Sequence, residues 1–155
     1  MGALEGRVAV ITGSTSGIGA RTAELFASEG ARLVISGRRE KRGRQRARTL
    51  GQAANFIRAD VSNEAEVEAM IAHAVTTFGR LDCLINNAGS GSGYQEIAKM
   101  DLQRFDDVIR VHVRCAGCHE ICHVNHGCAE DRQHYQRGKR QWHAGRIGRP
   151  PLLRG

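Results

Sequence analysis

Arg7 to Glu29, RVAVITGSTSGIGARTAELFASE, constrains this chain more than any other stretch, because it asks for a strand, a glycine turn and a helix in immediate succession. Val8, Val10 and Ile11 form a short β-branched apolar run of the kind buried inside a parallel sheet. Gly13, Gly17 and Gly19 crowd the turn, where a backbone without β-carbons lets a partner approach closely. Ile18, Ala20, Ala23, Leu25, Phe26 and Ala27 then recur at helical spacing, and Gly30 ends the helix. A helix opening at such a turn presents unpaired N–H groups and a partial positive charge, which suit a pyrophosphate. The other reading of the same residues is a glycine-rich loop without a ligand.

Downstream, strands and helices alternate. Ala31 to Ser36 reads as a second buried strand and Glu40 to Leu50 as a helix. Phe56 to Ala59 reads as a third strand, running into Asp60-Val61. Ser62 or Asn63 then caps a helix that runs to about Phe78, with Val67, Met70, Ile71, Ala74 and Val75 as its apolar face and Gly79 as its stop. His73 lies in that helix as a packing or surface residue. Leu81 to Ile85 is the fourth strand, with Cys83 inside it as a small apolar residue. After the glycine- and serine-rich loop Ser90 to Tyr94, Met100-Asp101 starts a helix whose expected buried stripe is Leu102, Phe105, Val108, Ile109 and Val111. Strands alternating with helices predict an α/β fold, a Rossmann-like doubly wound parallel sheet. About four strands are visible, in expected order 3-2-1-4, where such sheets want about six.

Thr12-Gly13-x-x-x-Gly17-Ile18-Gly19, following a strand and opening a helix, resembles the T-G-x-x-x-G-I-G signature of the short-chain dehydrogenase/reductase family. Asn86-Asn87-Ala88-Gly89 resembles that family's second signature. The likeness covers Arg7 to about Arg114. It implies NAD(P)-dependent hydride transfer between a nicotinamide and an alcohol or ketone. It implies a cofactor site at Gly13, Ser14, Thr15, Ser16, Gly17, Ile18 and Gly19, with Asp60 and Val61 near the adenine and Asn87, Ala88 and Gly89 along the nicotinamide-side ribose. Asn86 would tie neighbouring strands through its amide. In doubly wound folds an acidic residue after the second strand binds the ribose of NAD, whereas an arginine accommodates the 2′-phosphate of NADP. Gly37 stands at that acidic position and Arg38 follows, so NADP is expected over NAD. The alternative is that Arg38 and Arg39 only begin a solvated helix. Relatives carry a proton-relay asparagine where this chain has His112. They also commonly form homo-oligomers, through helices that this chain lacks or keeps only in part.

Past Arg114 the character of the chain changes. Family chemistry uses a Ser, a Tyr and a Lys. Tyr135-Gln136-Arg137-Gly138-Lys139 matches Y-x-x-x-K in letters only. It lies too close to Asn86–Gly89 for another helix and strand to intervene. Its flanks are polar and glycine-broken, and no serine follows Ser92. Tyr135 and Lys139 therefore read as a decoy. Of the five cysteines, four fall between Cys115 and Cys128. Cys115-x-x-Cys118-His119 matches the letters of a haem-attachment site, but no export signal accompanies it. Cys115, Cys118, Cys122, Cys128, His119, His123 and His126 could ligate zinc, though their second half lacks a clean paired spacing. A different origin fits better. Back-translated with codon choice open and read one base later, the stretch just past Arg114 permits G-A, T-[K/R] and [A/V]-M, as the family's helix continues. Across Glu130 to His143 the same frame permits G-S-I-I-N-V-A-S-V-N-G, which resembles its fifth strand and catalytic serine. Residues 1–114 are thus expected to be the dinucleotide-binding part. Residues 115–155 would be an out-of-frame, irregular tail on a truncated, inactive chain. A non-catalytic dinucleotide-binding protein with a metal-binding Cys/His tail is the competing reading.

Composition adds limits rather than an answer. The hydrophobic fraction of 41% and charged fraction of 25% are those of a globular domain. No apolar run approaches the length of about 18 residues that a membrane span needs. The N-terminus enters the first strand without signal-peptide architecture, so a cytoplasmic location is expected. The net charge of +7 is concentrated in Arg38–Arg48 and the C-terminal residues, with few aromatics to stack on bases, and reads as solvated charge rather than a nucleic-acid surface.

Overall fold

In a computed structural model of the chain, residues 2–89, 96, 99 and 101–112 are described. The readings of Ser90 to Tyr94, of Tyr135 and Lys139, of the Cys/His cluster and of the altered frame lie outside the described residues.

The elements run β1 (Val8–Ile11), α1 (Gly17–Ser28), β2 (Arg32–Gly37), α2 (Glu40–Leu50), a short 3₁₀ turn (Gly51–Ala53), β3 (Ala54–Arg58), α3 (Glu64–Phe78) and β4 (Cys83–Ile85). A further helix, α4, spans 102–112. The strands form one parallel sheet in the order β3-β2-β1-β4, the expected order. Val10 pairs with Val34 on one side and with Leu84 on the other, so β1 is the central strand.

Both faces of the sheet are covered, which is why the central strands read as continuous apolar runs rather than alternating ones. Alternate residues serve opposite faces. Val10 and Val34 join Val67, Met70, Ile71 and Ala74 of α3 in one core cluster. Ala9, Ile11, Leu33 and Ile35 join Ala23 of α1 in the other, with Ala47 and Leu50 of α2 against its edge. Helices on both faces make the sheet doubly wound.

The helix ends follow local chemistry. Asn63, not Ser62, caps α3: its side chain accepts from the Ala65 N–H, and Gly79 closes the helix in the left-handed region. Asp101 caps α4 by accepting from the Gln103 N–H at 2.9 Å. The expected buried stripe of α4 is corrected, however. Leu102, Phe105 and Ile109 are exposed, and Val111 alone of the stripe packs on the α3-side core. Periodicity shows which residues share a helix face; burial also needs an element laid against that face, and among the described residues only the turn carrying Val111 meets one. Ile18 and Leu25 of α1 are likewise exposed, at 79% and 59%, while Ala20 and Ala23 supply the buried contact.

β4 is fastened to β1 by more than its ladder. Asp82, just before β4, accepts from the Val8 N–H at 2.9 Å and donates its own N–H to the Val8 carbonyl at 2.9 Å. Its carboxylate also meets the guanidinium groups of Arg7 and Arg80.

Candidate functional site

The sheet sends β2 and β3 to one side of β1 and β4 to the other. The loops that leave β1 and β4 therefore part at their carboxyl ends, where doubly wound sheets form a crevice. A cleft of about 470 Å³ opens there. Its walls bring together four stretches distant in sequence: the turn after β1, the end of β2, the end of β3 and the end of β4.

The turn is built by buried hydrogen bonds. Gly13 has φ +66°, and a β-carbon there would stand 2.8 Å from the Ala88 Cα, so the turn can lie against the β4 loop only with glycine at this place. Thr12 Oγ1 accepts from the N–H groups of Asn87 (3.0 Å) and Ala88 (2.9 Å) and donates to the Ile85 carbonyl. The Asn87 amide donates to the Thr12 carbonyl at 3.0 Å. The Asn87 side chain, turned toward β1, thus ties the β4 loop to the turn. A β-carbon at Gly19 would stand 2.4 Å from that amide nitrogen, which explains a glycine inside the first turn of α1.

Gly13, Thr15, Ser16, Ile18, Arg38, Asp60, Val61, Asn87, Ala88 and Gly89, all named from sequence, line the cleft. Ser14, Gly17 and Gly19 do not. Ser14 is fully buried, with Oγ 2.9 Å from the Ile11 carbonyl and accepting from the Ser36 N–H at 2.9 Å, and so joins the turn to β2. Gly37, Arg39, Ala59 and Val111 also line the cleft. The signal for Gly37 and Arg39 was their place at the end of β2; Ala59 and Val111 carry no sequence signal beyond being apolar. His112 stands at the far end, where a β-carbon on Gly89 would lie 3.1 Å from its Cε1.

The electrostatics favour an anion at the turn. Ser16, the residue before α1, makes no side-chain capping bond, and the first turn of α1 holds no acidic residue, so its N–H groups and partial positive charge face the cleft uncompensated. Arg39 adds a guanidinium that donates to Thr15 Oγ1 from Nε (3.2 Å) and Nη2 (2.9 Å) and also to Ser16 Oγ. Across the cleft, Arg38 stands 4.0 Å from Asp60. Burial alone would raise the Asp60 pKa. The Ser62 N–H and hydroxyl, with the charges of Arg38 and Arg58, outweigh it and hold the carboxyl below the ordinary aspartate range. Cys83, in β4, is the opposite case: burial and then the Asp82 charge push its thiol up. His73 joins α3 to β3 through a 2.9 Å contact of Nε2 with Asn55 Oδ1, away from the cleft. Among the described residues no His, Cys, Asp or Glu cluster could hold a metal ion.

Residues 7–119 match the family model of the short chain dehydrogenase. The chain belongs to the short-chain dehydrogenase family. It is 43% identical over 114 residues to Short-chain dehydrogenase reductase 3c of Arabidopsis thaliana, covering 73% of this chain and 44% of that protein. To L-fucose dehydrogenase of Oryctolagus cuniculus it is 38% identical over 117 residues, covering 76% of this chain and 40% of that one. A crystal structure of 3-ketoacyl-(acyl-carrier-protein) reductase from Brucella melitensis complexed with NADH superposes with a TM-score of 0.76 at 38% identity, over 80% of this chain and 51% of that chain. A short-chain dehydrogenase/reductase from Burkholderia phymatum in complex with NAD gives 0.71 at 36% identity, over 76% of this chain and 43% of that one. This short-chain dehydrogenase chain therefore spans less than half the length of the two curated relatives. No helix among the described residues is long and apolar enough to cross a membrane.

Proposed function

We propose that this chain is the cofactor-holding half of an NAD(P)-dependent oxidoreductase, binding NADP in preference to NAD, and that by itself it binds the dinucleotide without turning over an alcohol or ketone. The observation that carries the binding is the cleft at the carboxyl ends of β1 and β4, lined by residues at the N-terminus of α1, whose cap makes no side-chain bond, and by Arg38 and Arg39 just after β2. The pyrophosphate lies on the turn Gly13 to Gly19, the adenine beside Asp60 and Val61, and the nicotinamide-side ribose along Asn87 to Gly89, with His112 next to it. Bound there, the nicotinamide ring supplies or accepts a hydride.

The preference for NADP rests on this chain's own residues, since the two neighbouring structures hold NADH and NAD. An acidic side chain that would accept from the 2′-hydroxyl of NAD is absent at Gly37. A β-carbon there would stand 2.9 Å from Thr15 Cγ2, so the position is also crowded against one. Arg38 and Arg39 supply the positive charge that a 2′-phosphate needs. The absence of turnover rests on the polar, glycine-broken setting of Tyr135 and Lys139 and the lack of a serine beyond Ser92, and the family match ends at residue 119.

Calorimetric titration of the 155-residue chain with NADPH and NADH tests both parts. NADPH is expected to bind at least about tenfold more tightly, as one charge-assisted contact to a phosphate provides, and NADPH oxidation with a panel of ketones is expected to stay at background. Tighter NADH binding, or no binding of either, refutes the cofactor reading. A dehydrogenase activity abolished by Tyr135→Phe refutes the reading of that tyrosine as a decoy.

A further inference from the structure

A second, polar cavity of about 420 Å³ adjoins the cofactor cleft and shares Thr15 and Ser16 with it. Its remaining walls come from α2: Arg42, Gln45, Arg46 and Thr49. The arginines of α2 are not equivalent. Arg44 is held by Glu40 at 2.7 Å, and Arg46 is held by Glu24 of α1. Arg42 has no ion pair or hydrogen bond among the described residues, yet it lies one helical turn beyond Arg39 on the same face. Arg39 donates to the hydroxyl oxygens of Thr15 and Ser16. Those hydroxyls accept from Arg39, so their own protons are left to donate elsewhere. Arg42 thus faces a small volume walled by the Thr15 and Ser16 hydroxyls, which Arg39 holds from the cleft side, with no carboxylate lining it.

We infer that Arg42 is a specificity-determining residue: it binds, together with Arg39 and the Thr15 and Ser16 hydroxyls, the phosphate monoester on the adenosine ribose of NADP. This deepens the cofactor reading above and rests on it. Thr15 and Ser16 wall both spaces, so the cavity adjoins the part of the cleft at the end of β2 where the ribose would be held. A phosphate monoester carries close to two charges and several acceptor oxygens, and so it uses more donors than a single arginine offers. Arg38, 4.0 Å from the Asp60 carboxylate, adds to the positive charge that the phosphate meets.

The test compares the 155-residue wild-type chain with Arg42→Ala, Arg42→Glu and, as a control for a paired arginine on the same helix, Arg44→Ala. Each is titrated with NADPH and with NADH at low and moderate salt, and its melting temperature is recorded. Arg42→Ala is expected to weaken NADPH about five- to tenfold and leave NADH within about twofold. Arg42→Glu should weaken NADPH further, and Arg44→Ala should change neither. The NADPH effect should shrink as salt rises. If Arg42→Ala keeps the wild-type ratio of the two affinities, the inference is wrong while the cofactor reading stands. If the wild-type chain shows no preference for NADPH, the reading fails and the inference with it.

Discussion

At the scale of single residues, the most consequential side chain outside the cleft is Asp82. Its carboxylate is only 6% exposed, accepts from the Val8 N–H and is flanked by Arg7 and Arg80. Burial would raise its pKa, but the Val8 N–H and the two guanidinium groups hold it below the ordinary range. A carboxyl whose folded pKa is depressed stabilises the fold above the unfolded value and loses that contribution as pH falls through the folded one. Stability is therefore expected to be constant near neutrality and to decline as pH drops below about 4, with Asp60 contributing in the same direction. Asp82→Asn should cost about 1–3 kcal/mol at neutral pH, since a charge-assisted bond to a main-chain N–H is weakened. Its acid limb should be shallower than that of the wild type in urea denaturation followed across pH. None of this was legible in the sequence, where Asp82 is one acid among many. A contact spanning 74 residues leaves no local pattern.

At the scale of elements, legibility tracks how local the cause is. The bounds of α2 and α3 follow from Gly51, Asn63 and Gly79, residues that act within one turn of themselves. The same holds for the glycine turn, whose conformational demands are written in its own residues. What escaped is whatever depends on a second element. The α4 stripe was read as buried and is largely exposed. Ser14 was read as a cofactor contact, and the structure places it between the turn and β2. Gly43 belongs to the same class, because a glycine inside a helix looks like a flaw worth about 1 kcal/mol. In the structure a β-carbon there would fall 1.9 Å from the Phe56 ring, so the glycine is what lets α2 lie against β3. Gly43→Ala, despite its better helix propensity, should destabilise the fold by about 1–3 kcal/mol, read as a lower urea midpoint at unchanged slope. An unchanged or higher midpoint would mean that α2 can shift outward at little cost.

At the scale of the whole molecule, the cleft is walled by four separate segments, so a ligand that fills it adds contacts that hold them together. If NADPH occupies the cleft, saturation at about a hundred times its dissociation constant should stabilise the fold by about 2.7 kcal/mol and raise the melting temperature by roughly 5–15 °C. A scan with NADPH that superposes on one without it would contradict the proposed site. The sheet order has a further consequence, for synthesis. Val8–Ile11 is made before the other three strands and occupies the middle of the sheet, yet its partner on one side, Cys83–Ile85, is made 74 residues later. At about 5–20 residues per second that is a delay of roughly 4–15 s. Through that interval this apolar segment has no neighbour until Arg32–Gly37 is made and only one thereafter, which marks Val8–Ile11 as a segment that holding chaperones would meet.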